Sequence, residues 1–286
     1  MKYKKTILLL VILIGILSLA VSSIGLFSSE AFGDRIFTSL YGEQIELYGK
    51  GIYHRDSVSM VAQGKAQDMV TMILGIPLLL ISLLLTHKGS LRGQLLLTGT
   101  LGYFLYTYTS YVFLWMYNSL FLVYVLLMSV SFFALILNLM SFDILQLPKH
   151  FNKRLPVKVL GIFQIALGIV IALLWIGKIA NADTTSIPPE GLEHYTTLVI
   201  QGLDLGFIVP IAILSGVLII RRKPFGYLLS SIIIMKGFTM GITILAMIRG
   251  MASAGVAVNL IEIIIFSAIN VWMAICMVLL LKNINI

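Results

Sequence analysis

The sequence predicts an all-α integral membrane protein with eight transmembrane helices, and three observations predict it. The 286-residue chain is 59% hydrophobic, with a mean hydropathy of +1.02. Only 11% of its residues are charged, against about 25% in an ordinary globular domain, too few to coat a soluble surface. Its apolar residues also gather into eight runs long enough, at ~1.5 Å per residue, to cross a ~30 Å hydrocarbon core. Within lipid a single run satisfies its backbone polar groups only as a helix.

The runs cover residues 7–27, 66–86, 95–116, 119–141, 157–179, 196–220, 225–248 and 257–281. The first follows MKYKK, yet its apolar stretch exceeds the 7–15 residues of a signal-peptide core and no A-x-A site follows. It is expected to stay as an anchor. Residues 28–65 are too few for a core of their own and are expected to cap the mouth of the bundle. Residues 142–156 read as a basic cytoplasmic linker. The chain is thus one membrane domain, 1–286. Its single cysteine, Cys276, lies in an apolar run, so no disulfide framework is expected and the residue reads as packing.

Charge sets the expected orientation. With the N-terminus inside, thirteen cations fall in cytoplasmic segments: Lys2, Lys4, Lys5, Lys88, Arg92, Lys149, Lys153, Arg154, Lys158, Arg221, Arg222, Lys223 and Lys282. Six fall outside: Arg35, Lys50, Arg55, Lys65, Lys178 and Arg249. This bias predicts a cell-membrane protein with both termini cytoplasmic. The acids complement it, with Glu30, Asp34, Glu43, Glu46, Asp56, Asp183, Glu190 and Glu193 all outside. The net charge of +8 is dispersed through short loops, so no nucleic-acid partner is expected. The lipid bilayer and an unidentified small molecule or ion are the expected partners, with room for a membrane-protein partner.

The chain repeats itself faintly, with candidate repeats at 1–141 and 157–281. Pro77, Ser82 and Gly93 recur 133 positions later as Pro210, Ser215 and Gly226. GIYH (Gly51 to His54) resembles GLEH (Gly191 to His194), and Tyr124 and Ser129 parallel Glu262 and Ser267. Four spans per half would give both halves one orientation, with a site between parallel repeats. At this offset Lys236 matches Tyr103 and Asp204 matches Thr71. The second half would bring the charge and the first the aromatics.

Asp204, Lys236 and Glu262 lie within spans, where each charge costs ~2.5–3.5 kcal/mol on insertion scales. Counted from the ends of their runs, Asp204 and Lys236 reach nearly the same depth. They are the expected ion pair, with Glu262 within reach of a lysine. His194, Thr197, Gln201 and Asp204 follow i, i+3, i+7, i+10, a polar stripe down one helix face. Lys236, Thr239 and Thr243 form a similar stripe, for which interhelical hydrogen bonding is the plainer role. In the first half, YHRDS precedes Gln63, Gln67 and Asp68, which are expected near the membrane boundary. There Asp56 and Ser57 can cap the following helix, and His54 and Asp68 are further candidates. Tyr103, Thr107 and Tyr111 share a face, while Trp115, Tyr117 and Asn118 fit an interfacial belt.

The absences narrow the chemistry. No span carries a central histidine for haem, and H-E-x-x-H, G-x-S-x-G and a P-loop are all missing, so no cofactor or metal is expected. The stretch LDLGFIVPIAILSGVLIIRRKPFGYLL followed by KGFTMG resembles a family of uncharacterised prokaryotic multi-pass membrane proteins. That resemblance covers only the sixth and seventh spans and implies no activity and no site. The residues favour a transporter-like protein with an outward-facing polar site for a small molecule or ion, though whether it is an enzyme stays open. The alternatives are a membrane-embedded enzyme on a lipid or extracytoplasmic substrate, using His54 and Asp68, and a non-catalytic subunit or sensor.

Overall fold

The computed structural model describes residues 2–33, 35–180, 182–183 and 187–285; Asp34, counted above among the outer acids, lies outside them. Among the described residues there are eight long helices: α1 (Lys4–Phe27), α2 (Val58–His87), α3 (Leu91–Phe113), α4 (Phe121–Leu139), α5 (Val157–Ala180), α6 (Val199–Ile220), α7 (Pro224–Ser253) and α8 (Leu260–Lys282). Seven are long and apolar enough to cross a membrane, so the chain has the architecture of a multi-pass helical membrane protein. The exception is α3, which has the length, 23 residues, but carries five threonines and serines and four tyrosines. It is the inner helix of its half, with twelve buried positions along its length.

Two helices run longer than their apolar cores. Both α2 and α7 have 30 residues, about 45 Å, and project past a ~30 Å core. They pack together, and at their projecting ends Gly250 lies against the Ala62 carbonyl. A cap covers this end of the bundle, which we call the cap end. It contains the hairpin β1 (Arg35–Thr38) and β2 (Gln44–Leu47), antiparallel with Arg35 opposite Leu47, and a 3-10 turn at Gly51–Tyr53. Both chain ends lie at the other, terminal end: Phe151 bridges to Ile284, and Lys4 donates to the His87 carbonyl at 3.0 Å.

Helix starts depart from expectation in two places. α2 begins at Val58, eight residues early, where the Ser57 hydroxyl accepts the Met60 N–H as an N-cap. Asp68 is therefore well inside a helix and 3% exposed. α6 begins at Val199, later than expected, so His194 and Thr197 precede it and the proposed stripe from His194 to Asp204 is not a helical stripe.

Both α2 and α6 contain one wide π turn, Thr71–Gly75 and Asp204–Ile208, each closed by an i→i+5 hydrogen bond, from Ile76 to Thr71 and from Val209 to Asp204. In each, proline follows two residues after the turn, as Pro77 and Pro210. Proline lacks an N–H and crowds the carbonyl four residues earlier, and a wider turn relieves that crowding. One turn beyond each helix end, a glycine seats the next helix against the last: Gly93 against Leu85 and Thr86, and Gly226 against Leu218 and Ile219.

The halves close differently. α1 packs on α2 and along α4, completing a ring with α3. α5 packs on α6, α6 on α7 and α7 on α8, but α5 and α8 do not lie along one another. Buried positions on α5 end at Gly168, and on α8 they begin at Met273. The second half is thus tight at the terminal end and splayed at the cap end.

Candidate functional site

The splayed helices enclose a cavity of about 470 Å³ whose walls come from α2, α3, α5, α6, α7 and α8. Of the residues singled out in the sequence, Asp204, Lys236, Glu262, Gln201 and Gln67 line it; Asp68, Tyr103, His54 and His194 do not. Most of the remaining wall is aliphatic, aromatic or methionine, including Leu174, Trp175, Ile244, Met247, Ile265 and Phe266.

Asp204 sits at the first residue of the wide turn in α6. Its Oδ1 accepts from the Tyr106 hydroxyl at 2.8 Å, and its Oδ2 from the Trp175 indole N–H at 2.9 Å. Lys236, 7% exposed, places its Nζ 3.7 Å from the centroid of the Tyr106 ring. Asp204 and Lys236 therefore do share a level, but they form no direct ion pair. Tyr106 lies between them, its hydroxyl on the acid and its ring face under the ammonium, a cation–π contact. Among the described residues the Lys236 ammonium donates no hydrogen bond and joins no salt bridge.

Glu262 pairs with Lys178 at 2.8 Å, across the gap between α8 and α5, and Lys178 also lies 3.7 Å from Glu190. The lysine within reach of Glu262 is thus Lys178, not Lys236. Thr239 and Thr243 are fully buried and donate back to the carbonyls of Met235 and Thr239, so they do not extend Lys236 into a polar path.

In the first half the cap end of the bundle is filled. Asp68 accepts from the hydroxyls of Tyr53 at 2.7 Å and Tyr111 at 3.0 Å. Around it the rings of Tyr108, Tyr111, Tyr124 and Trp115 pack in succession. Trp115 packs inward against Tyr53 as well, with ring centroids 4.7 Å apart, and does not face outward as a belt residue does; Tyr117, 70% exposed, fits a belt. Gln67 donates to Tyr103 at 2.6 Å and Thr107 at 3.1 Å, and Tyr103 also meets Thr71 at 2.9 Å. Tyr103 thus fixes the side chain of Gln67, which borders the cavity.

The cap closes over the mouth through residues 187–198. The Glu193 carboxylate accepts from Ser57 and Ser59, and His194 Nε2 lies 3.1 Å from the Arg55 carbonyl. Tyr195 donates to Asp56 at 3.0 Å, and Asp56 also accepts the Met116 N–H at 3.0 Å. His54 stacks on Phe32 with its Nδ1 on the Gly51 carbonyl at 2.9 Å, and no hydrogen bond joins it to Asp68.

Burial pushes the Asp56 carboxyl up to about 7, against the hydrogen bonds from Met116 and Tyr195, and the Glu193 carboxylate adds to the rise. Because the folded value lies above the unfolded one, this group's stabilisation is complete below about pH 4 and is lost as pH rises through about 7. The Asp56→Asn variant keeps an acceptor for Tyr195 and Met116 without the charge. Its Tm is expected to exceed that of the wild type at pH 8, with the gap closing at pH 5. Equal Tm differences at the two pH values would reject this role.

Sequence reading missed Tyr106, Trp175 and Lys178. Trp175 lies five residues before the cap end of α5 and Asp204 five residues into α6, a matched depth that was readable. Tyr106 was hidden as one of eight aromatics from Tyr103 to Tyr117.

The fold and the site together define a multi-pass helical membrane protein with a charged, largely apolar-walled cavity at one end of its bundle. No family model, curated protein or solved structure matches the chain.

Proposed function

We propose that the chain is a transporter-like protein of the cell membrane whose cap end faces outward and whose cavity receives a small molecule or ion. The observation that carries this reading is the convergence of Asp204, Lys236, Glu262, Gln201 and Gln67, from four helices, on one cavity. Its volume lies within the ~300–1,000 Å³ range of ligand pockets. In this reading α3 is the eighth span, sheltered from lipid by its neighbours, and both termini are cytoplasmic. The excess of Lys and Arg at the terminal end supports that orientation.

Two parallel four-helix repeats complete the proposal. Their support is the recurrence of the wide turn at the same 133-residue offset as Pro77/Pro210, Ser82/Ser215 and Gly93/Gly226. α1 and α5 also match in length, 24 residues each, and both cross the following helix through a glycine: Gly15 meets Leu80, and Gly168 meets Ile213. In the first repeat aromatics fill the site; in the second it is open.

At the site, Tyr106 and Trp175 hold the Asp204 carboxyl in place, and Tyr106 in turn carries the Lys236 side chain on its ring face. A ligand has to exchange with the Tyr106 ring for the ammonium.

The test is accessibility. In a Cys276→Ala background, the Lys236→Cys variant is expected to react with a membrane-impermeant thiol reagent added to intact cells. A thiol that reacts only after denaturation would overturn the outward-open site.

A further inference from the structure

The gap between α5 and α8 carries a more specific inference, which rests on the site reading above. Its edges are marked at two heights. Toward the terminal end Phe163 stacks on Trp272 with ring centroids 6.2 Å apart; at the cap end Lys178 pairs with Glu262. Between these contacts Leu174 on α5 and Ile265 on α8 line the cavity from opposite sides. The equivalent seam of the first half, α1 against α4, is closed. This stretch of the second half is therefore a window onto the hydrocarbon around the protein, bounded above by an ion pair and below by an aromatic pair.

Among the charged groups facing the cavity, the open demand is one-sided. Both Asp204 oxygens have donors, and Glu262 has Lys178. Lys236 is more than nine-tenths buried as a residue, but its ammonium reaches the cavity and, among the described residues, meets only the Tyr106 ring. An ammonium has donors only, so the partner it can take up from the cavity is an acceptor. It need not be an anion. Asp204 already balances the charge of Lys236, and Glu190, Glu193 and Glu262 near the mouth make an added negative charge unfavourable.

We propose that the α5–α8 gap is a lateral entrance through which a single-tailed lipid with an uncharged, oxygen-bearing head enters the cavity from the surrounding leaflet. Its head oxygens accept from Lys236, and its tail leaves between Leu174 and Ile265. The cavity, at about 470 Å³, takes a head and part of one chain and is smaller than a two-chain phospholipid.

The experiment uses the full chain in lipid nanodiscs and a monoacylglycerol carrying a photoreactive diazirine in its tail. Adducts are expected on the α5 and α8 peptides that contain Leu174 and Ile265, displaced better by unlabelled monoacylglycerol than by the fatty acid of equal length. They should fall by about fivefold or more in the Lys236→Met variant, as for one lost hydrogen bond. They should fall likewise in Ile265→Trp, which narrows the window without touching a charge. Adducts confined to outward positions such as Leu260 and Val271, and equal in all variants, would overturn the proposal. Stronger displacement by the fatty acid would overturn the uncharged head. If the Lys236→Cys thiol reacts from outside while the cavity gains no adduct, the lateral route alone fails. If that thiol is unreactive, the site reading fails with it.

Discussion

Replacing Asp204 by alanine is expected to destabilise the protein far more than replacing Lys236 by methionine. The alanine strips the Tyr106 hydroxyl and the Trp175 N–H of their acceptor and leaves Lys236 buried without its counter-charge. Breaking a buried charged arrangement from one side costs roughly 3–5 kcal/mol. Methionine at 236 keeps the unbranched stem of lysine over the Tyr106 ring, and Asp204 keeps both donors, so the loss should be about 1 kcal/mol. Thermal unfolding in detergent, followed by tryptophan fluorescence, gives the ranking directly. Equal losses, or a larger one for Lys236→Met, would mean that the two groups depend on each other rather than on Tyr106 and Trp175.

The second large effect lies at the α5–α6 crossing, where two glycines face each other. A Cβ on Gly216 would come 2.5 Å from the Gly161 carbonyl oxygen, and one on Gly161 would come 2.6 Å from the Gly216 oxygen. Small residues at such a crossing let membrane helices approach closely, and backbone cannot yield as a side chain can. Gly216→Ala is expected to cost about 1–3 kcal/mol, and Gly216→Leu to prevent assembly of the α5–α6 pair. Gly177 and Gly202, on the same two helices, have open space where a Cβ would go. Alanine at either should change stability by no more than about 0.5 kcal/mol. Size-exclusion profile and Tm of the four variants separate these cases, and a tolerated Gly216→Leu would reject the close crossing.

The existence of the helices was legible because lipid demands long apolar runs, and seven of the eight expected runs stand, among the described residues, as helices long and apolar enough to cross a membrane. Their starts were less legible. The first turns of α2 carry Ser57, Gln63, Lys65 and Asp68, a composition that reads as loop, yet the cap shelters them and pairs their polar groups. At the site, depth counting brought Asp204 and Lys236 to one level correctly. It could not show that Tyr106, from the other half of the chain, would stand between them. Spacing along a helix locates a residue in height and phase; it says nothing of which neighbour intrudes from a helix 98 positions away. The burial of Asp68 was hidden for the same reason, since its partners Tyr53 and Tyr111 come from the cap and from α3.

The wide turns in α2 and α6 have a mechanical consequence. A π turn holds one residue more than an α turn, so the helix above it is rotated by about 100° relative to an uninterrupted helix. In α6 this joint sits at Asp204, above the seam where Ser215 donates to Gln164 at 2.5 Å. The cap-end segment of α6 has no buried residue, whereas below the joint Val209, Ala212, Ser215, Gly216 and Ile219 are packed. The helix thus behaves as a fixed shaft carrying a short, separately phased crank. The crank presents Gln201 and Asp204 to the cavity, while the shaft is seated on α5 through Gly216 against Gly161.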